Sequence, residues 1–188
     1  MATTTSRRNV GRAPWLAAAI LAAIPSPAQA PAALEYQIKA TFLYTVAKFV
    51  EWPPEKLEGN GPIAIGVYGK DPFGGALDRL IQGKTVDGRG IVARRLTGLE
   101  QIRQQHIVFI AADEKKHLGV VLGALAGGGV LTVGDTDNFA EAGGMVNLVM
   151  KGNSVSLEIN TSAAERSHIK ISSRLLKLAR VVQDRGSR

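Results

Sequence analysis

No cysteine occurs anywhere in the sequence. That excludes disulfide stapling, thiolate nucleophiles and thiolate metal sites together. Aromatic residues are also scarce, at 5%. No apolar run reaches the about 20 residues that a membrane-spanning helix needs. The three histidines, His106, His117 and His168, never fall at zinc-ligand spacing, and no His-Glu-x-x-His occurs. No Gly-x-Ser-x-Gly elbow is present, which leaves a serine hydrolase without support. What the chain has instead is 45% hydrophobic residues, 21% charged residues and 21 glycines over 188 positions. This is an ordinary globular balance with many tight turns, and it suits one domain.

The first thirty residues have a layout of their own. Arg7, Arg8 and Arg12 make a basic start, and Trp15 to Ile24 is wholly apolar. Pro25 and Pro27 follow, and Ala28-Gln29-Ala30 has the small-x-small pattern of a cleavage site. The three parts in this order predict a secretory signal peptide over residues 1–30. Cleavage is expected after Ala30 or, because Pro31 follows it, after Ala32. The remaining 31–188 are expected to form a single domain. Removing residues 1–30 takes three of the 23 basic residues and none of the 16 acidic ones, which lowers the net charge from +7 to +4. Arg94-Arg95 and Lys115-Lys116 are short pairs without interleaved aromatics, so no nucleic-acid partner is expected.

The mature chain alternates strand and helix. Leu34, Ile38, Phe42, Val46, Phe49 and Val50 recur at helical spacing and predict a helix over 34–49, stopped by Trp52-Pro53-Pro54. Strands are expected at 63–68, 91–96, 106–111 and 130–133. Helices are expected at 74–82, near 99–103, and from Asp113, as a cap, to about 126. Such alternation implies an α/β three-layer sandwich with a mainly parallel sheet. Residues 145–150 and 154–159 predict an antiparallel hairpin at the edge of that sheet. A short helix is expected from Thr161 to Arg166. A last helix, capped by Ser172 or Ser173, should use Leu175, Leu176, Leu178 and Ala179 as its apolar face. Asp184 to Arg188 should be frayed.

The enzyme-like signals fail on their chemistry. Gly69-Lys70-Asp71-Pro72-Phe73-Gly74 lies between a strand and a helix with P-loop glycine spacing, but Gly75-Ala76 stands where Lys-Ser/Thr is required. Neither a γ-phosphate nor Mg²⁺ would find its ligand, and a structural turn is expected. Asp135-Thr136-Asp137-Asn138 suggests a calcium loop, but Phe139 and Ala140 stand at a ligand position and at the glycine position. No catalytic residue, cofactor or metal is expected.

The sequence resembles the YfiR family of periplasmic regulators. The resemblance rests on Phe42-Leu43-Tyr44 through Lys48-Phe49-Val50-Glu51-Trp52-Pro53, on the 69–74 glycine loop, and on Leu131-Thr132-Val133 leading into Phe139-Ala140. It continues through Gly143-Gly144-Met145-Val146-Asn147-Leu148, Leu157-Glu158-Ile159-Asn160 and Ile171-Ser172-Ser173-Arg174-Leu175-Leu176-Lys177-Leu178-Ala179. The resemblance implies a repressor of a YfiN-like inner-membrane diguanylate cyclase, bound through the cyclase's periplasmic sensor domain. It also implies relief by an outer-membrane YfiB-like lipoprotein, an output in cyclic-di-GMP and biofilm, and a homodimer. The better-known members of that family carry cysteine pairs and this chain has none, so redox control does not transfer. A small-ligand receptor, using the cleft at the carboxyl ends of the parallel strands, is the alternative.

Strand parity places Glu158 and Asn160 on one face of the second hairpin strand, and Val155, Leu157 and Ile159 on the core face. Arg166 should reach back toward Glu158, with Ser172 and Ser173 nearby. This face is the expected partner-binding surface. The other reading of the same residues is a surface ion pair and a helix cap. Lys48, Glu51 and Trp52 at the end of the first helix form the second candidate surface.

Overall fold

A computed structural model of the chain describes residues 1–2, 29–152 and 154–184. The expected signal peptide therefore lies almost entirely outside the described residues, as do 185–188. The long first helix, α1 (Gln29–Ala47), is followed by β1 (Val50–Glu51), a 3-10 turn at Pro54–Leu57, β2 (Ile63–Tyr68) and α2 (Ala76–Ile81). Next come β3 (Thr85–Val86), β4 (Arg89–Leu96), α3 (Leu99–Ile102), β5 (Ile107–Ile110), a 3-10 turn at Ala112–His117 and α4 (Leu118–Leu125). The chain then forms β6 (Leu131–Gly134), β7 (Val146–Lys151), β8 (Ser154–Asn160), α5 (Thr161–Arg166), β9 (Lys170–Ile171), α6 (Ser173–Leu176) and β10 (Ala179–Val182). Among the described residues, no helix is long and apolar enough to cross a membrane.

The main sheet has eight strands in the order β10-β8-β7-β6-β5-β2-β4-β3. It is parallel from β4 through β7, antiparallel at the β7–β8 hairpin, and parallel again between β8 and β10. Every residue of β5 is buried, because β5 is central and covered on both faces. Alternate side chains separate into two cores. Ile65, Phe109, Val133, Leu148 and Ile159 meet α1 and α2 on one face. Leu96, Val108, Ile110 and Phe139 meet α3 and α4 on the other. This is the α/β three-layer sandwich that the strand–helix alternation implies. Phe139 is fully buried. A Cβ on Gly134 would stand 2.4 Å from its ring, and one on Gly144 2.1 Å, so only glycine fits on either side.

Several expectations change. The first helix ends at Ala47, and Val50 forms a strand with Ile171 in a separate two-stranded sheet, β1–β9. The buried stripe of α1 is Lys39, Ala40, Leu43, Val46 and Ala47, one position out of phase with the stripe read from the sequence, and Leu34 is exposed. The turn-rich segment 83–90 contains β3, folded back through Asp87-Gly88 with φ of 49° and 78°, the positive pair that a two-residue hairpin requires. Asp113 caps no helix. Its carboxylate accepts the Lys70 N–H at 3.0 Å. The final segment is only briefly helical. Ser172 caps α6, accepting the Arg174 N–H at 3.3 Å, and the chain then forms β10. The hairpin lies toward one end of the sheet, but β10 covers β8 and becomes the outermost strand.

Candidate functional site

The hairpin face carries Glu158 as expected, but with other partners. Asn147, Glu158 and Arg180 stand in register on β7, β8 and β10. The Asn147 amide donates to Glu158 at 3.2 Å. Arg180 donates to the other carboxylate oxygen at 2.5 Å and lies 4.0 Å from Glu141. The pairing with Glu158 raises the Arg180 pKa above its ordinary value. The result is a polar ladder across three strands, buried at Asn147 and open at Arg180. Leu178, just before β10, and Val181, within it, are exposed at 78% and 52%; Val181 pairs with Ile159 and so points to the opposite face of the outermost strand from Arg180. The outermost strand thus carries a fixed charge pair on one face and an exposed valine on the other, and a protein partner laid along its edge can meet both.

Arg166 does not reach Glu158. It pairs with Asp184 at 2.7 Å. Asn160 is fully buried, which removes it from any docking surface. Its side-chain oxygen accepts the Ala163 N–H at 2.9 Å and so caps α5. Its amide donates to the Ala140 carbonyl at 2.8 Å and to Asp184. Asn160, Asp184 and Arg166 thus form one structural network that ties the end of β10 to α5.

The remaining residues gather elsewhere, around the β1–β9 sheet. Glu51 stands opposite Lys170, and the Ser172 N–H donates to the Phe49 carbonyl at 2.9 Å. Lys48 is exposed and sits 5.6 Å from the Tyr44 ring. Ser173 is exposed. Trp52 is buried, and its indole N–H donates to the His106 carbonyl at 3.0 Å. Trp52 is therefore a wall of the core. Ser172 and Ser173 belong to this surface, together with Lys48 and Glu51, and not to the Glu158 face.

A cleft of about 860 Å³ opens here, between Glu51–Lys56, Gly127–Gly129, and His168 with Lys170. These residues precede β2 and β6, so the cleft lies at the amino ends of the parallel strands. At the carboxyl ends, where the alternative small-ligand-receptor reading would put its cleft, the chain's own groups meet. Lys70 is held by Asp113. Asp71 accepts the Phe73 N–H at 2.8 Å and the Arg95 Nε–H at 2.8 Å. The glycine loop is accordingly closed as a turn. After β6, Asp135 accepts from Lys39 at 2.7 Å and from the Tyr36 hydroxyl at 2.9 Å. Burial and the Asp135 carboxylate push the Tyr36 pKa above its usual range. Among the described residues, no group of three or more His, Cys, Asp or Glu side chains could hold a metal ion.

Arg180 and Val181 were not singled out as site residues from sequence, because the last segment reads as helix there; Leu178, expected on that helix's apolar face, is instead exposed, since α6 ends at Leu176 and the chain turns into β10. The pointer was present in Ala179-Arg180-Val181-Val182, a β-branched end with alternating character.

A family model described as YfiR/HmsC-like matches residues 36–180. No curated protein matches significantly. Among solved structures, a conserved domain protein from Vibrio cholerae O1 biovar eltor superposes with a TM-score of 0.52 at 13% identity, covering 77% of this chain and 60% of that one. An ABC domain from Streptococcus pneumonia in complex with L-Trp gives 0.50 at 12% identity, covering 80% and 60%. The chain thus spans about 60% of the length of these structures, and the likeness is one of fold.

Proposed function

The chain belongs to the YfiR/HmsC-like family of periplasmic regulators of diguanylate cyclase signalling, and on that premise we propose that it represses a membrane-bound cyclase by docking on the cyclase's periplasmic sensor domain. The observation that carries the proposal is the outermost strand β10, with the Asn147–Glu158–Arg180 ladder on one face and exposed Leu178 and Val181 along the same edge. Leu178 and Val181 supply the apolar contact, and Arg180 supplies a charge already held in place by Glu158. Such prior ordering lowers the entropic cost of binding. Repression follows if the docked surface fits the inactive sensor better than the active one, since only differential affinity shifts a population. An outer-membrane lipoprotein that covers the same surface would relieve repression by competition. In this reading the export signal delivers the protein to the periplasm, where it meets both partners.

The test is Arg180→Glu combined with Val181→Asp, in cells and in a pull-down from their membranes. Both positions are exposed, but Arg180→Glu sets a carboxylate against Glu158, so the melting temperature should fall by a few degrees with the fold retained. Cyclic-di-GMP should rise, and the cyclase should be lost from the pull-down. Full repression by the stably expressed double variant would refute the surface and turn attention to Lys48 and Glu51.

A further inference from the structure

The far end of the sheet presents a second open edge. β4 pairs with β2 from Ile91 through Leu96. On its other side β3 covers only Arg89 and Gly90. Among the described residues, no other backbone segment bonds to that outer edge. Six residues of β4 therefore have a ladder on one side and solvent on the other.

A groove of about 430 Å³ runs beside this edge, lined by Arg94, Arg95, Leu96, Gln101, Gln104 and Gln105. Two of these side chains have opposite fates by strand parity. Arg95 faces α2 and is fully committed, donating to Asp71 and, through two nitrogens at 2.8 and 2.5 Å, to Asp78. Arg94 points to the other face, is exposed, and has no ion-pair partner among the described residues. Gln105 is only 2% exposed. Its amide nitrogen donates to the Gln101 carbonyl at 3.0 Å, while its Oε1, itself buried, has no hydrogen-bond partner. A buried acceptor left open is costly unless something donates to it. The surroundings favour an anion: with Arg95 neutralised by Asp71 and Asp78, Lys84, Arg89, Arg94 and Arg103 outnumber Asp87 and Glu100 over residues 84–103.

We propose that the outer edge of β4, with Arg94 and Gln105, receives an extended acidic segment of a partner protein as an added strand. Main-chain hydrogen bonds to the open ladder would supply affinity. A carboxylate side chain on Arg94, and an N–H or O–H on Gln105 Oε1, would supply register and specificity. Roughly six strand spacings of about 4.8 Å separate β4 from β10, so the site is physically independent of the sensor-docking surface.

The test uses the full mature chain and a fluorescein-labelled eight-residue synthetic peptide alternating Val or Thr with Glu, with a Lys-for-Glu peptide as control. Anisotropy should show binding of the acidic peptide only. Hydrogen exchange should show new amide protection in 91–96. Arg94→Glu should weaken binding about tenfold or more, since it opposes like charges, and Gln105→Met should weaken it while leaving the melting temperature near that of the parent. Arg180→Glu should leave peptide binding unchanged. The proposal is overturned if the acidic peptide does not bind, if Arg94→Glu has no effect, or if protection appears on β10 instead. It is equally overturned if Arg94→Glu makes the free protein self-associate, since Arg94 would then be a guard against edge pairing.

Discussion

Replacing Lys39 with methionine isolates the contact that holds α1 to the carboxyl end of the sheet. The Lys39 and Asp135 side chains are 4% and 2% exposed, with 2.7 Å between charged atoms. Lys39 also meets Glu35, whose side chain is 30% exposed, and stands 4.6 Å from the Tyr36 ring centre. Methionine preserves most of the volume and removes the charge. Asp135 Oδ1 already has no hydrogen-bond partner, so its carboxylate would keep only the Tyr36 hydroxyl. Stranding one member of a buried pair costs about 3–5 kcal/mol. At about 2–4 °C per kcal/mol for a domain of this size, the melting temperature should fall by about 6–20 °C. Asp135→Asn should cost less, because Lys39 keeps Glu35. The double variant Lys39→Met, Asp135→Leu should recover part of the loss, since exchanging both charges for apolar groups leaves nothing stranded. Urea denaturation followed by circular dichroism at constant slope measures all three. If Lys39→Met costs less than about 1 kcal/mol, the pair behaves like a solvated one, and the reasoning from burial fails.

Two further predictions concern pH and the buried asparagine. His106 Nδ1 accepts the Ala64 N–H at 3.1 Å and its Nε2 lies 3.1 Å from the Lys56 carbonyl, so the ring is neutral. Burial, followed by the nearby Lys56 charge, lowers its pKa from the ordinary 6.5. The unfolded state therefore takes up the proton first, and stability should decline as pH falls from 6.5 toward the depressed folded value. Thermal melts between pH 7.5 and 5 should show that decline, and His106→Gln should flatten it. Asn160→Ala removes the α5 cap and the bond to Ala140, and should cost about 2–4 kcal/mol. Any loss of repression in that variant should track its urea midpoint, whereas Arg180→Glu should lose far more repression than its small midpoint shift accounts for.

The residues themselves show how far the sequence could be read. Strand β2 and helix α5 fall at their expected ends, because Ile63–Tyr68 is bounded by Pro62 and Gly69 and Asn160 supplies a cap. The core face of β8 is also as read from parity, with Leu157 and Ile159 inward. Periodicity failed where pairing across the chain decides the structure. Val50 fits a helical stripe as well as a strand, and its partner Ile171 lies too far away for a local pattern to reveal. Ala179–Val182 follows a leucine-rich run and reads as its continuation, although β8 recruits it as a strand. Glu158 could be placed on a face, but Arg180 could not be assigned to it without the β8–β10 register. Asn160 shares the parity of Glu158 and yet is buried, because the Ala140 loop and Asp184 cover it.

The β1–β9 clip and the β10 strand also bear on the order in which the fold can be completed. Val50 and Ile171 are about 120 residues apart, and closing so long a loop is slow to be rewarded. A chain emerging amino end first from a translocation pore would hold α1, β2, β4, β5, β6 and the hairpin before either tie existed. During that interval β8 would show an unpaired edge and α1 would be fixed only through its contacts with the sheet and α2. Folding would thus be completed from the rear. Shortening the segment after residue 170 would yield an unfinished molecule rather than a smaller one, with the open β8 edge available to the next chain out of the pore.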